Sequence, residues 1–383
     1  MNTTRFDDLR PYRDSEIPAA LQRIAANPYF PILMESVFEG EELKEKMETF
    51  TTYTTVEAFQ SHIMDAAIKN IVHKTMDHFT CHGLEQLDPS CSYLFVSNHR
   101  DILLDSALLQ IALHAHHFRT TEITFGNNLM QNPLVVDIGK CNKMFKVIRG
   151  GNPRDFYRNS LHLSEYIRHT LIEKRESVWI AQRNGRTKDG NDHTNQALIK
   201  MFALSGGKDL IDSMAELHIV PLSISYQYET CDKMKVRENY LSKNQPYIKE
   251  HNEDLLSIIT GVTQPKGNVH LEVCKPLMPA DLEILRGIDR NEATLAIAHI
   301  IDKRIYDNYK LWNTNFIAYD MLYNTFEFTD QYSPEEYRFF ATRMHDQLRH
   351  WPDEKLELMT IFLQLYSNPV LNCLPEASAL LGR

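Results

Sequence analysis

A histidine lies close to two carboxylates in the polar run at residues 97–105 of this 383-residue chain. The run reads Ser-Asn-His-Arg-Asp-Ile-Leu-Leu-Asp, so that His99 is followed by Asp101 and Asp105. A histidine with its ordinary pKa of about 6.5 can accept a proton at neutral pH, and a carboxylate bonded to its other ring nitrogen fixes its tautomer and orientation. These residue types predict general-base chemistry at His99, with Asp105 or Asp101 as the orienting acid.

The residues alone leave other interpretations of this run open. Asp101 is also suited to cap the N-terminus of a following helix, and a histidine beside acids is common on protein surfaces. His99, Arg100 and Asp101 also resemble part of a protein-kinase catalytic loop. The kinase pattern, however, requires asparagine where Ser106 stands, and the chain has no G-x-G-x-x-G motif. We therefore do not expect a kinase.

A basic segment is the second chemical feature of the chain. Residues 140–158 contain six lysines and arginines against one aspartate, whereas the whole chain has a formal net charge of −10. Arg149 is followed by Gly150 and Gly151, which permit close approach of the backbone to a ligand. The segment is either an exposed charged surface or an anion site in which arginine binds phosphate.

The sequence predicts neither a metal site nor a disulfide framework. His114, His116 and His117 lie in a helical pattern without further ligands at the spacing of a metal site. The six cysteines are scattered without CxxC pairing, which is typical of reduced thiols in a cytosolic protein.

The elements around His99 are a strand over 93–96, the polar turn and a helix over 102–117. In α/β proteins the carboxyl ends of such strands carry the chemistry. Short apolar runs predict further strands, and three- and four-residue periodicity predicts further helices. The predicted strands are 145–148, 177–181, 219–226 and 269–273, and the predicted helices include 160–174, 195–204, 295–309 and 356–365.

These elements predict an α/β protein with helical additions at both ends. Residues 1–80 are predicted to be a helical segment, in which one apolar stripe runs from Phe59 to Phe79. Residues 81–280 are predicted to form the α/β domain, and residues 281–383 a C-terminal helical segment.

Composition limits the classes of function. Lysine and arginine number 41 against 51 aspartates and glutamates, which argues against a nucleic-acid binder because such proteins need a basic face. No stretch approaches the roughly 18–20 apolar residues that span a bilayer, and the first residues lack the layout of a signal peptide. We therefore expect a cytoplasmic protein.

Four blocks of the sequence, in order, resemble the glycerolipid acyltransferase superfamily, the glycerol-3-phosphate and lysophosphatidate acyltransferases. Residues 97–105 resemble its Asn-His-x4-Asp motif, and residues 145–150 resemble its strand that ends in arginine before the acceptor-phosphate site. Residues 179–188 resemble its Phe-Pro-Glu-Gly-Thr-Arg-Ser block, and residues 219–224 resemble its Val-Pro-Val block. The blocks cover about residues 90–230.

The resemblance implies a central mixed sheet flanked by helices and an O-acyltransferase that needs no cofactor or metal. His99 would deprotonate the acceptor hydroxyl, Asp105 would orient it with Asp101 as the fallback, and acyl-CoA or acyl carrier protein would donate the acyl group. The implied acceptor is glycerol-3-phosphate or a lysophospholipid such as 1-acylglycerol-3-phosphate, so the enzyme would act peripherally at the inner face of the membrane. The implied substrate-binding residues are Asn98, Arg100, Arg149, Gly185, Arg186 and Lys188.

Two departures from the family pattern leave alternatives open. Five residues separate His99 from Asp105 where the family has four, so Asp105 fits if the turn carries one extra residue. The family's glutamate is replaced by Arg183 or, with a one-residue shift, by Asn184. The alternatives are an O-acyltransferase for a non-phosphate lysolipid such as an aminoacyl lipid, or a non-catalytic relative that binds acyl groups or lipids.

Overall fold

A seven-stranded sheet forms the centre of the protein, which a computed structural model describes over residues 5–148, 150–243, 245–250, 252–351, 355–374 and 377. The strands are β1 (Met76–His82), β2 (Leu94–Ser97), β3 (Glu122–Gly126), β4 (Met144–Val147), β5 (Val178–Ala181), β6 (Ile219–Tyr226) and β7 (Gly267–Val273).

The strands lie in the order β1-β7-β6-β2-β5-β3-β4. The five strands from β2 to β6 in chain order are mutually parallel, whereas β7 runs antiparallel to β6 and β1 runs parallel to β7. The predicted mixed sheet is therefore confirmed. The carboxyl ends of the five parallel strands share one edge, which is where ligands bind in open α/β sheets.

Helices cover both faces of the sheet and continue beyond it at both ends of the chain. Those before the sheet are α1 (Ile17–Ala25), α2 (Phe30–Val37), α3 (Gly40–Thr49), α4 (Val56–Phe59) and α5 (Asp65–Thr75). Those between β2 and β7 are α6 (Leu104–Ala115), α7 (Pro133–Cys141), α8 (Pro153–Arg168), α9 (Gln196–Phe202), α10 (Leu210–Ala215), α11 (Asp232–Leu241) and α12 (Glu253–Thr263). Those after the sheet are α13 (Pro279–Glu283), α14 (Arg290–Asp307), α15 (Asn313–Tyr323), α16 (Pro334–Leu348) and α17 (Lys355–Cys373).

Strand β2, which leads to His99, is buried on both faces of the sheet. Leu94 and Val96 pack with apolar residues of α8, α9 and α14, whereas Phe95 packs on the opposite face with residues of α5 and α6. This alternation follows from the two-residue period of a strand, and burial on both faces explains why the strand is a continuous apolar run. The rigid support of β2 fixes where the polar turn begins.

The helical additions have apolar cores of their own. Helices α1 to α5 enclose one cluster, which reaches the sheet domain at Ile138 and Cys141 of α7. Helices α15, α16 and α17 enclose another, which includes Val236 of α11. Helix α14 instead packs directly on the sheet through Ile297 and Ile301.

The structure differs from the sequence-based prediction at two strands, β1 and β3. The prediction that the helix continues to Phe79 is wrong, because α5 ends at Thr75 and the chain then enters β1. Strand β1 lies at the edge of the sheet, and its half-exposed residues form no apolar run that would indicate a strand. Strand β3 was not predicted, because it begins with a buried charge, Glu122. That side chain is tolerated in the interior since Tyr166 donates a 2.6 Å hydrogen bond to it and Lys174 forms an ion pair with it.

The remaining strand predictions are confirmed to within two residues at each end, as β2, β4, β5, β6 and β7. The thiols of all six cysteines are free, as predicted. Within the described ranges no helix is both long and apolar enough to cross a membrane.

Candidate active site

The polar turn after β2 is organised by the carboxylate of Asp105, in the first turn of α6. Its Oδ2 atom accepts hydrogen bonds from Nδ1 of His99 at 2.8 Å and from the backbone amides of Arg100 at 2.6 Å and Asp101 at 2.9 Å. Its Oδ1 atom accepts a 2.8 Å hydrogen bond from the hydroxyl of Tyr226 on β6. Four donors therefore converge on a side chain that is 0% exposed.

The geometry accommodates the extra residue between His99 and Asp105. Helix α6 begins at Leu104, so Asp105 lies at its second position and its carboxylate reaches back to the turn. Burial and the neighbouring carboxylate of Asp105 hold the pKa of Tyr226 well above its ordinary range, so its hydroxyl remains a donor. Tyr226 was not recognised from the sequence because 121 residues separate it from Asp105.

The imidazole of His99 is held in one orientation with one nitrogen free. Its side chain is 11% exposed, and its ring lies edge-on to Trp179 of β5 at a centroid distance of 5.8 Å. Nδ1 is bonded to Asp105, and in the described part of the chain Nε2 has no hydrogen-bond partner. A neutral imidazole bonded in this way presents the lone pair of Nε2 to a substrate proton.

Asp101 takes the capping role that the sequence left open. Its Oδ1 atom accepts hydrogen bonds from the amides of Leu103 and Leu104, both at 2.9 Å, and its side chain does not bond to His99. Its Oδ2 atom is buried and has no hydrogen-bond partner within the described ranges. It lies against Gly261 of α12, where an added Cβ would be only 2.4 Å away. The acid that orients His99 in this structure is therefore Asp105.

Asn98 and Arg100, which are predicted to bind substrate, have protein partners in the structure. The side-chain amide of Asn98 donates to Asp192 at 3.1 Å and to the carbonyl of Ile224 at 2.9 Å, and its oxygen accepts from the Ile224 amide at 2.8 Å. The guanidinium of Arg100 is fully buried, 2.6 Å from Asp192. Both side chains are bonded to other residues of the protein, and their substrate-binding roles stay predictions.

The acids that bind Arg100 were missed by the sequence analysis. Asp192 and Glu229 both form ion pairs with its guanidinium, and Lys235 lies 2.8 Å from the second carboxylate oxygen of Glu229. Asp192 and Glu229 lie 92 and 129 residues beyond Arg100, so no local pattern links them to it. This buried network holds the turn against the segment after β5 and the segment after β6.

The segment after β5, residues 182–195, lies directly beside the turn. The amide of Thr187 donates a 2.8 Å hydrogen bond to the carbonyl of His99. Arg186 is mostly buried, and its Nη1 atom has no hydrogen-bond partner among the residues that the structure describes. Gly185 adopts a φ of +78°, and no atom lies within 4 Å of a Cβ built there.

Other members of the predicted anion-binding set have partners or lie outside the description. Lys188 forms a 2.5 Å ion pair with Glu238. Arg149 lies outside the described residues. The side chains that replace the family's glutamate, Arg183 and Asn184, are at least partly exposed.

The basic segment at 140–158 spreads its charges over several local partners. Lys140 lies 5.5 Å over the ring of Tyr12, and Lys143 lies 3.4 Å from Glu176. Arg158 pairs with Asp155 at 3.1 Å. These three side chains have separate local partners and do not gather at a single anion site.

A buried lysine lies among the charged groups near Asp101. Lys266 is 0% exposed, and its ammonium donates to Thr75 Oγ1 at 3.0 Å and to the carbonyl of Gln264 at 2.6 Å. Burial lowers its pKa to about 8, although the negative charge of Asp101 opposes the shift. Burial also raises the pKa of Cys231. The positive charge of the Arg186 guanidinium acts to lower the same pKa, but its effect is smaller.

The comparisons with known proteins identify the domain that carries this site. Residues 78–225 match the model of the Acyltransferase family, and the match runs from β1 to the end of β6 and includes the turn, Asp105 and residues 179–188. This match agrees with the acyltransferase resemblance of residues 90–230. The chain carries an acyltransferase domain, and the protein is an acyl-transferring enzyme.

Among solved structures, the 1-acyl-sn-glycerophosphate acyltransferase PlsC from Thermotoga maritima is similar to this chain. The two share 13% sequence identity with a TM-score of 0.37, and the alignment covers 75% of this chain and 94% of that chain. The search of curated protein sequences found no match.

The lowered pKa of Lys266 predicts a rise in stability with pH. Between pH 8 and its ordinary pKa of 10.5, Lys266 is deprotonated in the folded protein and protonated in the unfolded chain. Because the unfolded state binds more protons there, the free energy of unfolding increases with pH across this window. Relative to Lys266→Met, the wild type should gain about 2–3 kcal/mol between pH 7 and pH 10.

Urea unfolding at four pH values in this range measures that difference. Lys303→Met is the matched control, since Lys303 is an exposed lysine paired with Asp307 on α14. Its unfolding free energy should parallel that of the wild type at every pH. A Lys266→Met variant with the same pH dependence as the wild type would contradict the assignment.

Proposed function

We propose that the protein transfers a fatty acyl group from acyl-CoA or acyl carrier protein to a hydroxyl of glycerol-3-phosphate or of a lysophospholipid such as 1-acylglycerol-3-phosphate. The observation that supports this most directly is the pair of His99 and Asp105, in which Nδ1 of His99 is bonded at 2.8 Å and Nε2 has no partner in the part of the chain that the structure describes. The pair lies at the carboxyl edge of the parallel strands, within the matched acyltransferase domain.

His99 is the general base in this proposal. Nε2 takes the proton of the acceptor hydroxyl as its oxygen attacks the thioester carbonyl, and Asp105 stabilises the imidazolium that forms. The tetrahedral intermediate then collapses, the carbon–sulfur bond breaks, and the thiolate leaves with the proton returned by His99. The acyl group passes directly from sulfur to oxygen, and no cofactor or metal is required.

The nearby cysteine offers no alternative covalent route. Burial raises the pKa of Cys231, which keeps it as a thiol, and its Sγ donates to the carbonyl of Ser257 at 3.2 Å. A thiolate, not a thiol, is the nucleophile in cysteine catalysis.

Acceptor binding is assigned to Arg186, with Arg149 and Lys188 as the further predicted contacts. The unpartnered Nη1 of Arg186, on the segment that bonds to the carbonyl of His99, supports this assignment. A guanidinium binds phosphate with two parallel hydrogen bonds and would position the acceptor hydroxyl near the base. Asn98 and the amides of Arg100 and Asp101 have protein partners, so the oxyanion must be stabilised by other donors.

Transfer assays with labelled acyl-CoA and acyl carrier protein test this proposal against a panel of acceptors. The panel contains glycerol-3-phosphate, 1-acylglycerol-3-phosphate and an aminoacyl lysolipid. We expect turnover with a phosphate acceptor, and His99→Ala should lower kcat/KM by about 10²- to 10⁴-fold because the base is lost. His114→Ala is the matched control, since its Nδ1 also faces a carboxylate, Asp65 at 3.1 Å, on the surface.

The outcomes separate the alternatives. Transfer only to the aminoacyl lysolipid would assign the non-phosphate acceptor, which the absence of the family's glutamate favours. Binding of acyl-CoA without turnover on any acceptor would assign a non-catalytic relative. Full activity in His99→Ala would overturn the general-base mechanism.

A lysophospholipid acceptor would require contact with a lipid surface, and the exposed side of helix α12 supports peripheral attachment there; we place that attachment at the inner face of the membrane. Gly261 on its buried side touches Asp101, so the helix lies next to the active-site turn. Leu255, Leu256 and Ile259 are 40%, 55% and 50% exposed on its outer side. An exposed apolar row on a helix is typical of membrane-surface attachment.

Sedimentation with phosphatidylglycerol vesicles tests this surface. The double variant Leu256→Glu with Ile259→Glu should reduce the bound fraction several-fold, because it places two negative charges where apolar side chains would contact the lipid. Leu356→Glu is the matched control, since Leu356 is 81% exposed on a different helix, α17. Equal binding of the double variant and the wild type would contradict a role for α12.

A further inference from the structure

Three potential metal ligands project from one face of the strand pair β1 and β7. The strands are parallel neighbours in which His82 is opposite Glu272 and Thr80 is opposite His270. His270 and Glu272 are two residues apart, so their side chains point to the same face of β7. The ligating atoms of His82, His270 and Glu272 all lie within 4.8 Å of one another.

The distances within this cluster are close to those of a tetrahedral metal site. Nε2 of His270 lies 3.1 Å from Oε2 of Glu272, and Nδ1 of His82 lies 3.9 Å from the same oxygen. Bonds of about 2.0–2.1 Å in tetrahedral geometry place ligand atoms about 3.4 Å apart. The side chain of His82 is 68% exposed, so it can rotate to close the small remaining difference.

The buried histidine of the cluster has the second partner that metal-binding histidines require. Nδ1 of His270 lies 2.7 Å from the hydroxyl oxygen of Thr80, and the residue is 7% exposed. When Nδ1–H donates to Thr80, the lone pair of Nε2 is directed toward Glu272 and His82. Such an outer hydrogen bond fixes the tautomer and orientation of the ligating ring.

We propose that His82, His270 and Glu272 bind one divalent transition-metal ion, Zn²⁺, across the edge of the sheet. Two imidazoles and one carboxylate favour zinc over magnesium or calcium, which prefer all-oxygen sites. Water completes the fourth position on the exposed side of His82. The ion connects edge strand β1, the first element after the N-terminal helices, to β7, and it takes no part in acyl transfer.

Zinc titration of the metal-free full-length protein tests this site independently of acyl transfer. We expect one Zn²⁺ per chain in competition with a chromophoric chelator, a higher melting temperature with zinc, and no such effect of Mg²⁺. His82→Ala and Glu272→Gln should each weaken zinc binding by about tenfold or more, because each variant removes one ligand of the ion and even the loss of a group that only supports a ligand has an effect of this size. His114→Ala is the control, because His114 faces only one carboxylate.

The His82→Ala variant also distinguishes loss of the metal site from loss of folding. His82 is exposed, so the melting temperature of metal-free His82→Ala should equal that of the metal-free wild type, and only the increase caused by zinc should disappear. Absence of stoichiometric zinc binding would overturn the proposal. Zinc binding or zinc-dependent stabilisation that is unchanged in both His82→Ala and Glu272→Gln would overturn it as well.

Discussion

The candidate active site depends on one buried carboxylate that four donors share. Asp105 binds the imidazole of His99, two successive backbone amides and the hydroxyl of Tyr226. A buried carboxylate is stable only when such donors replace the water it has lost. The same bonds therefore determine the path of the turn, the start of α6 and the direction in which Nε2 of His99 points.

A second buried network joins this turn to the segments that surround it. Arg100 pairs with Asp192 and Glu229, and Glu229 in turn binds Lys235. Removing one partner from such a cluster leaves an uncompensated charge in the interior, which is strongly destabilising. The network thereby holds residues 182–195 beside His99, where the amide of Thr187 bonds to its carbonyl.

Local pattern was sufficient to predict the elements next to His99, because β2 is a continuous apolar run and α6 follows a capped polar turn. It was not sufficient where partners are distant in the chain. The family motif predicts that Asn98 and Arg100 bind substrate. No local pattern predicts their actual partners, Asp192 and Glu229, which lie far along the chain. Strand β3 was missed for the same reason, since the ion pair of Glu122 with Lys174 appears only in three dimensions.

The most direct test of the account compares Asp105→Asn with Asp101→Asn in the transfer assay, across a range of pH. Asparagine at position 101 can still cap α6 through its oxygen, so this variant should retain most of the activity. Asparagine at position 105 removes the charge that stabilises protonated His99, so kcat/KM should fall by about 10²- to 10⁴-fold and its dependence on pH should change. Equal activity in the two variants would contradict the assignment of Asp105.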